Sequence, residues 1–126
     1  MENNGKPVTV TVATETEPVT TDGVFTERKD GFILEFAIGS DKFKIEHNDS
    51  VTTVKADGVM SYDIALKAEQ TETMLDTPFG KVQFNVKTET REVKKTSGLM
   101  RIMLCYVLNN DAVGDMPRSV DITVRF

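Results

Sequence analysis

Apolar and polar positions alternate with a period of two along most of the chain. Val8, Val10 and Val12 alternate with Thr9 and Thr11. Phe32, Leu34, Phe36 and Ile38 alternate with Ile33, Glu35 and Ala37. Phe43, Ile45 and His47 alternate with Lys42, Lys44 and Glu46, and Val82, Phe84 and Val86 with Gln83, Asn85 and Lys87. Val120, Ile122, Val124 and Phe126 close the chain in the same way. A period of two puts successive side chains on opposite faces of an extended strand. Weaker runs of the same kind cover residues 19–27, 50–56, 60–66 and 69–75. Nowhere does a helical i, i+3, i+4, i+7 stripe run for three turns, so the pattern predicts little or no helix.

Turn chemistry separates these runs. Asp30-Gly31 and Asp57-Gly58 read as hairpin turns, because Gly accepts positive φ and Asp tolerates it. Asp22-Gly23 lies inside a strand-like stretch and reads as a bulge or bend. Gly39-Ser40-Asp41, Asn48-Asp49, Thr96-Ser97-Gly98 and Asn109-Asn110-Asp111 supply further turns, and Pro78 and Gly80 bracket another. Nine or ten short strands result. Their connections are too short for parallel crossovers, which need a dozen residues or more, so the sheet is an antiparallel meander. A flat meander of that length leaves long unpaired edges, and closure removes them. The expectation is an all-β, antiparallel up-and-down barrel of about eight to ten strands. It forms one domain over residues 8–126, preceded by a flexible segment at 1–7. Phe32, Leu34, Phe36, Phe43, Ile45, Phe84, Leu104 and Tyr106 should point inward.

Composition supports this. Val, Thr and Ile account for 37 of 126 residues, and their β-branched side chains suit a pleated surface. Charge narrows the partners. At −5 and a pI near 4.9, the chain lacks the basic footprint of a nucleic-acid binder and is a poor match for an anionic membrane. One stretch differs: Lys87, Arg91, Lys94, Lys95 and Arg101 lie among only Glu89 and Glu92. It reads as the solvated face of a long hairpin, with a basic docking patch as the sharper alternative. The single cysteine, Cys105, allows no intrachain disulfide and fits a reducing cytosol. The polar first residues carry no signal-peptide core, and the longest apolar stretch, residues 102–108, is far below the roughly 20 residues of a membrane-spanning helix. A soluble, cytoplasmic protein is expected.

Residues 99–108 depart from simple alternation. Met100, Ile102, Leu104, Tyr106 and Leu108 share one face, while Met103, Cys105 and Val107 make the other largely apolar too. Either the chain's own N-terminal segment or a loop covers that outer face, or it is a partner surface, a homodimer patch above all.

The order Thr21-Asp22-Gly23, Asp30-Gly31, Thr77-Pro78-Phe79-Gly80 and then Tyr106-Val107-Leu108 before the last strand is similar to that of the YwiB-like family of bacterial proteins. Each motif is short, and their joint order over residues 8–126 carries the resemblance. It implies a lipocalin-like, calycin-type barrel and no particular activity. The chain departs from the family pattern in two places. Phe36-Ala37-Ile38 stands where a Tyr-Glu-Glu-like stretch belongs, and Lys55 where an Arg precedes the mid-chain turn.

Catalytic chemistry finds little support. The lone His47 sits beside the Asn48-Asp49 turn and reads as a solvated rim residue. Cys105 lies mid-strand among apolar neighbours and reads as inert. One His and one Cys provide no zinc spacing, and residues 109–115 lack the ligand spacing of a calcium loop. No phosphate loop, dinucleotide fingerprint, nucleophile elbow or paired carboxylates appear. No catalytic residue, metal or cofactor is therefore expected. What remains is a small apolar or amphipathic ligand held inside the barrel by a non-enzymatic binder. Tyr62 and Tyr106 carry hydroxyls that need partners, and Lys55 can place an amine at a barrel mouth. The alternative is an interaction module acting through the outer face of residues 99–108.

Overall fold

A computed structural model describes residues 5–14 and 17–126. Ten strands follow one another: β1 Lys6–Ala13, β2 Val19–Arg28, β3 Gly31–Ile38, β4 Asp41–Asn48 and β5 Thr52–Asp57, then β6 Tyr62–Leu66, β7 Thr71–Thr77, β8 Gly80–Thr96, β9 Leu99–Asn110 and β10 Gly114–Arg125. They form one antiparallel sheet in the order β6-β5-β4-β3-β2-β1-β10-β9-β8-β7. Every neighbour in that order is a neighbour in sequence, apart from the pairing of the first strand with the last. The all-β, up-and-down barrel read from the alternation is the observed fold, with no helix among the described residues. Part of the segment expected to be flexible, residues 1–4, lies outside the described residues, while Lys6 and Pro7 already belong to β1.

The barrel closes between β6 and β7 by a thinner seam. Ser61 and Asp76 exchange two backbone hydrogen bonds of 3.0 and 2.8 Å. Below them the backbones separate, and threonine side chains span the gap. Thr73 Oγ1 donates to the Asp63 carbonyl at 2.9 Å and Thr71 Oγ1 to that of Ala65 at 2.7 Å. A hydroxyl reaches farther than a backbone amide, so these residues satisfy carbonyls that a closed ladder would otherwise serve.

The core follows the alternation. Leu34, Leu66, Ile102, Leu104, Val86 and Val124 are completely buried, and the inward side chains form one continuous cluster along the barrel. All eight residues expected inside belong to it or pack against it. Phe43, the most exposed of them, stacks on Phe36 at 5.3 Å between centroids.

The turns differ from the expectation in detail. The β2–β3 connection is Lys29-Asp30, one position earlier than Asp30-Gly31. Gly31 is the first residue of β3, and positive φ occurs at Gly39, Gly80, Gly98 and Gly114 instead. Gly31 serves by its size, since a Cβ there would lie 1.7 Å from the His47 carbonyl oxygen. Gly39, at φ 63° in a two-residue loop followed by a residue of ordinary φ, has the type II′ pattern that suits strand twist. Asp57-Gly58 opens a longer loop, residues 58–61, held by the Val59 amide donating to Asp41 Oδ1 at 3.1 Å. Asp22-Gly23 continues β2 without a register break, so no bulge forms there.

The irregularity lies in β8, where the register with β9 shifts between Thr88 and Thr90. The additional residue, Glu89, reverses the phase of the strand. Phe84 and Val86 face inward before it, whereas Arg91, Val93 and Lys95 stand opposite the inward Leu104, Ile102 and Met100 after it. The long strands β8, β9 and β10 overhang their other neighbours. Residues 87–96 of β8 extend beyond β7, and residues 114–120 of β10 extend beyond β1.

Candidate functional site

Strand alternation puts the connections after β1, β3, β5, β7 and β9 at one end of the barrel, here called the mouth. Inward residues of four elements meet there. Tyr62 begins β6 in phase with the buried Ile64 and Leu66. Tyr106 on β9, only 5% exposed, stands opposite Arg118 on the overhang of β10. Tyr62, Tyr106 and Arg118 form the polar side of a cleft of about 210 Å³, and Ser119 borders it from the outward phase of β10. Met60, Ile64, Leu75, Leu108 and Val120 form its apolar side, and Thr14 completes the rim.

Burial raises the Tyr62 phenol above its usual pKa. The Arg118 cation works against that shift, and the Asp41 carboxylate adds to it. Tyr62 therefore stays neutral near physiological pH, and Arg118 is close enough for its charge to be felt. A neutral phenol both donates and accepts, and a guanidinium offers a planar fork of donors. Beside an apolar wall, such a set is chemically suited to an oxygen-rich or anionic head joined to an apolar body.

The structure thus brings Tyr62 and Tyr106 together and leaves Lys55 outside. Val54 and Ala56 take the inward positions of β5, so Lys55 faces out. Its Nζ lies 3.6 Å from Glu46 Oε1, and it stands across from Lys44, which pairs with the same carboxylate at 3.4 Å. The amine expected at the mouth is an outer-wall charge. Arg118 did not emerge from the sequence pattern, although continuing Ile122 and Val120 by one more step of two reaches it.

The other residues with chemical potential lie elsewhere. At the opposite end, Arg91 crosses the barrel opening to the β4–β5 turn. Its guanidinium donates to the carbonyls of Asn48 at 2.9 Å and Asp49 at 2.7 Å, and to the buried Thr52 Oγ1 at 3.2 Å. The same Thr52 hydroxyl shares a hydrogen bond of 2.7 Å with His47 Nδ1. The His47 ring stacks on Phe32 with centroids 5.1 Å apart. Desolvation and the Arg91 charge lower its pKa, and Asp49 partly opposes them. His47 is a half-buried member of this network and not a solvated rim residue.

The basic stretch does not form one patch. Arg91 and Lys95 belong to the inward phase of β8, and Lys95 Nζ sits 5.6 Å from the Phe126 ring centroid. Arg101 makes two hydrogen bonds to Asp121, leaving Lys87 and Lys94 on the outer face. On the outer face of β9, Met103, Cys105 and Val107 are half-buried, the first two between polar neighbours on β8 and β10 and Val107 between Lys87 and Pro117, and Cys105 Sγ lies 3.8 Å from Ser119 Oγ. Among the described residues no group of three or more His, Cys, Asp or Glu side chains is placed to hold a metal, and no helix is long and apolar enough to cross a membrane.

No protein-family model and no curated protein matches the chain. A solved structure does: the crystal structure of the YwiB protein from Bacillus subtilis superposes with a TM-score of 0.70. The match covers 94% of this chain and 87% of that one at 15% identity. The resemblance read from the ordered short motifs is thus borne out in three dimensions, and the chain is a ten-stranded barrel with the fold of YwiB.

Proposed function

We propose that the chain is a non-enzymatic, lipocalin-like binder that holds one small amphipathic ligand at the barrel mouth. The observation that carries this reading is the convergence of Tyr62, Tyr106 and Arg118 on an apolar floor. The tightly packed interior shifts the ligand from the barrel centre to its rim. The cleft measures about 210 Å³, below the roughly 300–1,000 Å³ of pockets for drug-sized ligands, so the ligand is small. A carboxylate or similar oxyanion would face Arg118 and Tyr62, with its apolar body against Leu75 and Leu108.

Native mass spectrometry of protein purified from its own host should show a retained small acid. Benzoate and hexanoate should bind more tightly than their uncharged alcohols by isothermal titration. In Arg118→Met that preference should shrink by roughly tenfold, about 1.4 kcal/mol, with the fold intact. Absence of any retained molecule, together with equal weak binding of acids and alcohols, would sink the proposal.

A further inference from the structure

The mouth carries a second feature that the cleft does not use. Phe79, at the tip of the β7–β8 turn, is 99% exposed, Val59 in the β5–β6 loop 66% and Val113 in the β9–β10 turn 54%. Among the described residues the opposite end offers no such display. Its one exposed large apolar residue among them, Phe126, packs edge-on against Phe25 at 4.9 Å and lies beneath Lys95.

The loop carrying Phe79 is held in shape. Thr77 Oγ1 donates to the Gly80 carbonyl at 2.7 Å and accepts the Phe79 amide at 3.1 Å. Pro78 restricts the backbone further. The β5–β6 loop with Val59 is tied alongside by the Ser61–Asp76 backbone pair and by Asp41. A fixed aromatic at a rigid tip loses little entropy on docking, and aromatic side chains are the usual anchors of protein interfaces.

Charge at this end is acidic on balance. Among the described residues, the mouth connections and the two strand residues on either side of each contain Glu17, Asp41, Asp57, Asp63, Asp76, Asp111 and Asp115 against Lys42 and Lys81, with Arg118 of the cleft as a further cation. The opposite connections mix Arg28, Lys29 and Lys67 with Asp30, Asp49 and Glu69. An acidic ring around exposed apolar tips attracts cations and repels anionic lipid surfaces.

We propose that the acidic, apolar-tipped mouth docks a cationic amphipathic segment of a protein partner, with Phe79 and Val59 as its anchors. Neither anchor lines the ligand cleft, so this inference and the ligand reading stand or fall separately.

The test uses a fluorescent peptide of leucine and lysine patterned as an amphipathic helix. Its controls are a leucine–glutamate peptide and a lysine–serine peptide of the same length. Fluorescence anisotropy with the full chain should show the leucine–lysine peptide binding roughly tenfold or more tighter than either control. The double variant Phe79→Ser, Val59→Ser keeps the net charge and buries nothing new. It should melt at the same temperature and lose roughly tenfold or more of that affinity. Equal binding by the variant would mean attraction to the acidic surface at large and would overturn the inference. So would binding to phosphatidylcholine vesicles that depends on the two anchors and competes with the peptide.

Discussion

Two inward-facing arginines flank β9, one near each end of the barrel, and they are treated differently. Arg91 stands opposite Leu104 on the overhang of β8, and Arg118 stands opposite Tyr106 on the overhang of β10. At the closed end the β4–β5 turn lies across the opening, and Arg91 meets two carbonyls and a buried hydroxyl there. At the mouth Arg118 is exposed and borders a cleft beside two tyrosines. The same side chain in the same strand phase is a structural plug in one place and an exposed cation bordering a cleft in the other. At the closed end the β4–β5 hairpin presents its oxygens to the guanidinium, which fixes Arg91 there.

This contrast can be broken directly. Arg91→Met removes charge-assisted hydrogen bonds and leaves Asn48, Asp49 and Thr52 with oxygens to resolvate. Each such bond contributes about 1.5–3 kcal/mol when made to a charged group, and they are not additive, so a loss of about 2 kcal/mol in urea unfolding is expected. Arg118→Met should cost less than about 1 kcal/mol, because interactions of an exposed charge are screened by solvent. Equal losses at the two sites would erase the distinction between a structural plug and an exposed cation.

A smaller effect follows from His47, whose pKa is lowered from the ordinary 6.5. Below that value the unfolded chain takes up a proton that the folded ring refuses, so stability falls as pH drops from about 6.5 through the folded-state pKa. Above about 6.5 both states are neutral and the contribution is fully present. Protonation also makes both ring nitrogens donors, so the Thr52 hydroxyl can then only accept from His47. Urea midpoints measured between pH 7.5 and 5.5 should decline for the native chain and stay nearly flat for His47→Gln. Parallel profiles would show that the closed end does not exclude the proton.

Much of this architecture is legible in the alternation, because a barrel repeats one rule: apolar inside, polar outside. Phe32 to Phe36 and Val120 to Val124 state it plainly. The rule misleads where strand phase or partner changes. Glu89 reverses the phase of β8, so Arg91 and Lys95 turn inward although the basic run reads as one solvated face. The signal was Val93, out of step with Val82, Phe84 and Val86. The first half of β10 is masked by Gly114 and Pro117, yet Pro is tolerated there because β1 has already ended and asks for no amide. That masking also concealed Arg118. Lys55 shows the reverse error: between Val54 and Ala56 its phase was outward from the start. His47 could not be placed, since its partners are 5 and 44 residues away in sequence and only the fold unites them.

The smallest predicted effect compares two inward threonines. Thr52, completely buried, has its hydroxyl engaged by both Arg91 and His47. Thr88, just before the bulge and opposite Tyr106, has a buried hydroxyl without a hydrogen-bond partner among the described residues. Valine matches threonine in shape and lacks the hydroxyl. At position 52 the substitution strands two partners and should cost about 1–2 kcal/mol. At position 88 it removes a desolvated group that gains nothing in return, so Thr88→Val should be neutral or stabilising by up to about 1 kcal/mol. On a domain of this size that is a rise of roughly 4 °C or less in melting temperature. A clear loss at position 88 would show that its hydroxyl is met in solution, by water or by a ligand reaching down from the mouth. The polar provision of the barrel would then extend below the cleft and not stop at Tyr106.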